Sequence, residues 1–170
     1  MGEELPSQVV ADAGPLIHLH EIGRLRLLEV FDTIHCPATV LREVEPRVPA
    51  ARLSETKRVH RHDVGDSAID ATLKILKLMQ LHRGELECLT LCRELGLSLL
   101  LTDDLAARDA AKSLGITPVG SLGVVVRSHM AGLLSLKDAE SCLEDLYRVS
   151  SLFVTHAIVE LAIEQLRRPE

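Results

Sequence analysis

Short apolar runs alternate with longer stretches of helical spacing along most of this chain. Residues 8–11 (QVVA) read as a first strand. Pro15 suits the first turn of a helix, where no backbone N–H is needed and a fixed φ helps. Leu16, Leu19 and Ile22 carry that helix to Gly23, and RLRLLEVF forms a second helical piece. TIHC (33–36) predicts a short strand, and Pro37 opens a helix over PATVLREVE. EPRVPAARLSETK has two prolines and mixed charge, the composition of a loop or a short exposed helix. RVHRHDV (58–64) alternates as a half-exposed strand does.

The second half repeats the rhythm. DSAIDATLKILKLMQL is helical, and GELECLTLCREL (84–95) is a further helix that Gly96 is placed to end. LSLLLTDD (97–104) is nearly continuous in apolar residues up to Thr102, like a strand buried on both faces of a parallel sheet. LAARDAAKSLG is helical, ITPVG is a short strand, and three more helical patterns fill residues 122–168. This order predicts an α/β fold with a parallel sheet covered on both faces. Residues 1–170 read as one domain, with the helices of 122–168 packed on it or forming an interface.

Ligands of such sheets bind beyond the carboxyl ends of the strands, which draws attention to the acids found there. Asp12 ends the first strand, and Asp103 and Asp104 follow Thr102 at the end of the fourth. Glu43 lies on the short helix after the second strand, and Glu85 opens the helix 84–95. Each has a structural reading as a helix cap, a solvated charge or a complement to a helix dipole. Several carboxylates in one pocket repel each other, and a hard divalent cation relieves that repulsion. Mg²⁺ or Mn²⁺ takes oxygen ligands, keeps several waters and suits phosphoryl chemistry.

Composition narrows the choices. The net charge is −6, and there is no Trp, one Tyr and two Phe, so neither global charge nor an aromatic platform favours nucleic acid. Arg42, Arg47, Arg52, Arg58, Arg61 and Arg83 could grip a phosphate backbone locally, or serve only as solvated charge. Cys36, Cys88, Cys92 and Cys142 form no CxxC pair and read as core residues of a reduced, cytoplasmic protein. No apolar run reaches the ~20 residues of a membrane span. A dinucleotide site would need GxGxxG after strand one, and DAGPLI lacks it. A receiver would need an acid pair there and a HAD-type phosphatase DxDx[TV]; neither is present.

VVADAGPLIHLHEIGRL, PATVLREVE, RGELECLTLCRELGLSLLLTDD and AAKSLGITPVGSLGVV, in this order, resemble the PIN-domain proteins. The resemblance is closest to the VapC-type toxin ribonucleases and their prokaryotic relatives, and it covers about residues 8 to 135. It implies a three-layer α/β/α sandwich and a Mg²⁺- or Mn²⁺-dependent endonuclease acting on RNA. By position, Asp12, Glu43, Glu85 and Asp104 match the catalytic acids; the third of these is usually Asp, one methylene shorter than Glu85. Asp12, Glu85, Asp103 and Asp104 are then the expected metal ligands, with Asp103 auxiliary. Thr102, Arg42 and Arg83 are the expected contacts to substrate. The resemblance also implies a homodimer, silenced by a small antitoxin protein. The competing expectation is a catalytically inactive PIN scaffold that binds other proteins.

Overall fold

The computed structural model describes residues 7–56, 58–77 and 80–168. Five parallel strands form one sheet: β1 (Gln8–Ala11), β2 (Thr33–Pro37), β3 (Val59–His62), β4 (Leu99–Leu101) and β5 (Thr117–Val119). Their order is β3-β2-β1-β4-β5. The chain therefore builds outward from β1 in one direction, returns, and builds outward from β4 in the other. The reversal falls between β1 and β4, where the crossovers part and leave a crevice at the carboxyl ends.

Among the described residues the helices are α1 (Ala13–Glu21), α2 (Ala38–Val44), α3 (Ala50–Glu55), α4 (Asp66–Leu76), α5 (Arg83–Leu95), α6 (Leu105–Ser113), α7 (Ser121–Met130), α8 (Leu136–Arg148) and α9 (His156–Arg167). Helix α5 crosses β1, β2 and β4, with α4 and α6 against it. Helices α1 and α7 pack together with the 3₁₀ turn Leu25–Val30, and α8 and α9 pack on α7 and on each other. This is the three-layer sandwich that the alternation predicts. The RLRLLEVF piece differs only in being a 3₁₀ helix, and the proline-bearing EPRVPAARLSETK contains the short α3, none of whose residues is buried.

Strands β1 and β4 supply the floor of the crevice. Val9, Val10, Ala11, Leu99, Leu100 and Leu101 are buried, as strands covered on both faces must be. Each such Val or Leu contributes roughly 1.5–3 kcal/mol, enough together to hold a polar residue out of water at the strand end. Gly96 ends α5 in the left-handed conformation, φ 65°, which glycine adopts without strain. The apolar stripes of the C-terminal helices are used internally: Ala139, Cys142, Leu143, Leu146, Val159 and Leu166 are all buried.

Candidate active site

Asp12 stands where β1 stops and α1 starts, and it is only 8% exposed. The Ala13 amide donates to its Oδ1 at 2.8 Å, making it the N-cap of α1. The Thr102 hydroxyl donates to Oδ2 at 3.0 Å. The same hydroxyl accepts the Asp104 N–H at 3.3 Å, so Thr102 ties the ends of β1 and β4 together. Thr102, expected as a substrate contact, is fully buried, with its hydroxyl between Asp12 and Asp104.

Asp104 caps α6, its Oδ1 accepting the Ala107 N–H at 2.8 Å. Glu85 folds back to accept the His82 amide at 2.7 Å through one of its two carboxylate oxygens. Glu43 reaches the same place from α2: a Cβ added at Gly84 would lie 3.8 Å from its Oε2. Burial raises the Asp12 carboxyl above its ordinary range, and the charges of Glu43 and Asp104 push it further the same way. Burial likewise raises Glu85, with Asp104 and Asp12 adding to the shift. The structure thus brings Asp12, Glu43, Glu85 and Asp104 into one electrostatic neighbourhood.

Asp103 is not part of it. Its Oδ2 accepts from His18 Nδ1 at 2.8 Å and from the Ser121 hydroxyl at 2.6 Å, while Oδ1 accepts the Ser121 amide at 2.7 Å. Ser121 is the first residue of α7, so Asp103 caps that helix from another element. A Cβ at Gly120 would come within 2.7 Å of Asp103 Oδ1, so a side chain there would displace the carboxylate from Ser121. Asp103, expected as an auxiliary metal ligand, has both oxygens engaged in joining α1, β4 and α7.

Arg83 is also committed. Its Nε donates to Glu87 Oε1 at 2.7 Å and its Nη2 to Asp66 Oδ1 at 2.6 Å. Arg83, one of the expected substrate contacts, thus carries two ion pairs in this fold. Arg42 is bonded only to Thr39 Oγ1, at 3.1 Å, among the described residues and lines the same cavity as Arg83. Sequence reasoning missed His18, Ser121 and Glu87. For His18 and Ser121 the single available signal was the fit of small residues around Asp103, at Gly14 and Gly120.

Carboxylates gathered in this way, two of them raised by burial and by their neighbours' charge, are the hard oxygen donors a divalent cation takes. Among the described residues, no three His, Cys, Asp or Glu side chains already form a group that holds a metal ion. No helix among the described residues is long and apolar enough to cross a membrane. A family model described as a PIN domain matches residues 8–168, a span that takes in α8 and α9. No curated protein matches the chain.

Proposed function

The chain belongs to the PIN-domain family, whose fold is that of nucleases, and from that premise we propose a Mg²⁺- or Mn²⁺-dependent endoribonuclease. The observation that carries this reading is the buried Asp12 at the sheet's reversal point, facing Glu43 and Asp104, with both neighbours raising its proton affinity. A divalent ion supplies an activated water and charge stabilisation at the phosphate. Asp12, Glu85 and Asp104 would hold it, directly or through water. Asp12 is held rigid for the purpose by Ala13 and Thr102. Glu43, entering from α2, would orient the attacking water. The bond broken is the one to the 3′-oxygen, which leaves a 5′-phosphate on the other fragment.

This reading extends to a cytoplasmic toxin held inactive by a small antitoxin protein, and to a homodimer. Val149, Phe153, Ile158 and Leu161 are exposed around the α8–α9 junction and offer apolar surface for such contacts. Calorimetry with Mn²⁺, followed by mass spectrometry of RNA fragments, tests the core of the proposal. Binding that disappears in Asp12→Asn and Asp104→Asn, with 5′-phosphate ends from the wild type, supports it. A wild type that binds no Mn²⁺ overturns it in favour of an inactive, protein-binding scaffold.

A further inference from the structure

Beside the acids lies a cavity of about 430 Å³, lined by Ala38, Thr39, Arg42, Asp63, Val64, Arg83 and Glu87. It adjoins the rim through the chain itself: Arg42 precedes Glu43, and Arg83 precedes Gly84 and Glu85. Its volume is within the range of small-ligand sites. Its lining contains two arginines and two acids, so it carries no net charge to attract a phosphate. It does contain a flat polar surface. The N–H bonds of a guanidinium lie in its plane, so Glu87 and Asp66 hold Arg83 by its edge rather than by a face. Arg83 is 54% exposed in spite of both ion pairs.

We infer that this cavity takes a nucleobase of the RNA strand whose phosphate lies at the acids, stacked on the Arg83 guanidinium. The inference rests on the nuclease reading and adds a base subsite to it. Single-stranded RNA is read by stacking bases on aromatic rings or arginine planes and by bonding to their edges. No aromatic residue lines this cavity among the described residues; of its two guanidinium planes, that of Arg42 holds only the Thr39 hydroxyl, whereas that of Arg83 is fixed by carboxylates. Two carboxylates hold that plane still, which lowers the cost of ordering it. The remaining acceptors, Asp63 and the second oxygen of Glu87, suit an exocyclic amino group. Adenine and cytosine bring such a group to these acceptors, and uracil does not. Arg42 lies at the same wall to meet the adjoining phosphate.

The test is fluorescence anisotropy in Ca²⁺ with eight-nucleotide oligo(A), oligo(C) and oligo(U), and separately with AMP. The wild type should bind oligo(A) and oligo(C) about tenfold more tightly than oligo(U), as one stacked, bonded base allows. Arg83→Lys keeps the charge and removes the plane, and should weaken oligo(A), oligo(C) and oligo(U) alike, because every base stacks. Thr39→Leu narrows the cavity without adding a stacking plane, keeps both ion-pair partners of Arg83 in place and should remove the preference, so a folding defect in one variant does not decide the matter. AMP competing at the same site would assign it to the base and its own phosphate; AMP without effect fits a base held only within a strand. Equal affinity for all three oligonucleotides, or none for any, overturns the inference. Cleavage without base preference would sink the subsite and leave the nuclease; preference without cleavage would do the reverse.

Discussion

Asp103 and Asp104 are adjacent copies of one side chain at the end of β4, and they lead different lives. Asp104 turns toward Asp12, Glu43 and Glu85, where the charges at hand are like its own. Asp103 turns toward His18 and the first amide of α7, where both of its oxygens are occupied by donors. The cations divide in the same way: Arg83 is tied to Glu87 and Asp66, whereas Arg42 holds only a threonine hydroxyl among the described residues. A charged group whose bonds are complete within the fold stabilises it. One surrounded by its own sign raises the energy of the empty site and lowers it only when something binds.

The largest effects should follow from removing a member of the strained set. Asp12→Asn keeps the cap on α1 but lowers Mn²⁺ affinity and RNA cleavage by at least ~100-fold, beyond the usual cost of losing an outer-sphere partner. Titration calorimetry and a cleavage assay read both losses. Should Asp12→Asn keep full metal-dependent cleavage, the division drawn between the two aspartates fails.

Asp103→Ala should do the opposite, costing stability while sparing the metal. It leaves a buried amide, a hydroxyl and an imidazole without their acceptor, worth about 2 kcal/mol. For a chain of this length that lowers Tm by roughly 4–8 °C. Thermal denaturation should show the loss, and calorimetry should show Mn²⁺ affinity within a few-fold of wild type. A collapse of metal binding with unchanged Tm would return Asp103 to the ligand set.

A pH series sharpens the contrast. Since Asp12 and Glu85 are raised, the folded chain holds more protons than the unfolded one above the ordinary carboxylate range. Stability then falls as pH rises through that window and levels off once both are ionised. In chelator, the wild type should lose more Tm than Asp12→Asn as pH rises above the ordinary carboxylate range. Added Mn²⁺ should remove the difference. The smallest effect belongs to Arg42→Ala, which should weaken RNA binding a few-fold and lower the salt slope by about one phosphate contact. An unchanged slope would place Arg42 among the merely solvated charges.

Most of the fold was legible because it follows from periodicity. The apolar runs at 8–11 and 99–101 are the buried strands, and an acid after each is easy to see. The partition of the acids was not legible. Consecutive residues leaving a strand point in different directions, and which one finds partners depends on where α7 and Gly120 arrive. Thr102 shows the same gap: its hydroxyl suggested a phosphate contact, yet packing buried it between two carboxylates. Arg83 resembled a free cation because Asp66 lies 17 positions away in sequence, and only the packing of α4 on α5 brings it near.

Beneath the rim lie three thiols that the chemistry does not use. The Cys88 Sγ–H meets the Ala11 carbonyl at 3.7 Å and the Cys92 Sγ–H that of Leu99 at 3.9 Å, both strand carbonyls of the floor. Burial pushes the Cys36 and Cys92 thiols up to about 12 and Cys88 well above its usual value. Thiols so protonated and enclosed are inert to alkylation while the sheet is closed. Their labelling by iodoacetamide is therefore a clock for the opening of β1, β2 and β4. An ion seated on the carboxylates above should slow that clock, so a reagent that never touches the pocket would report its occupancy.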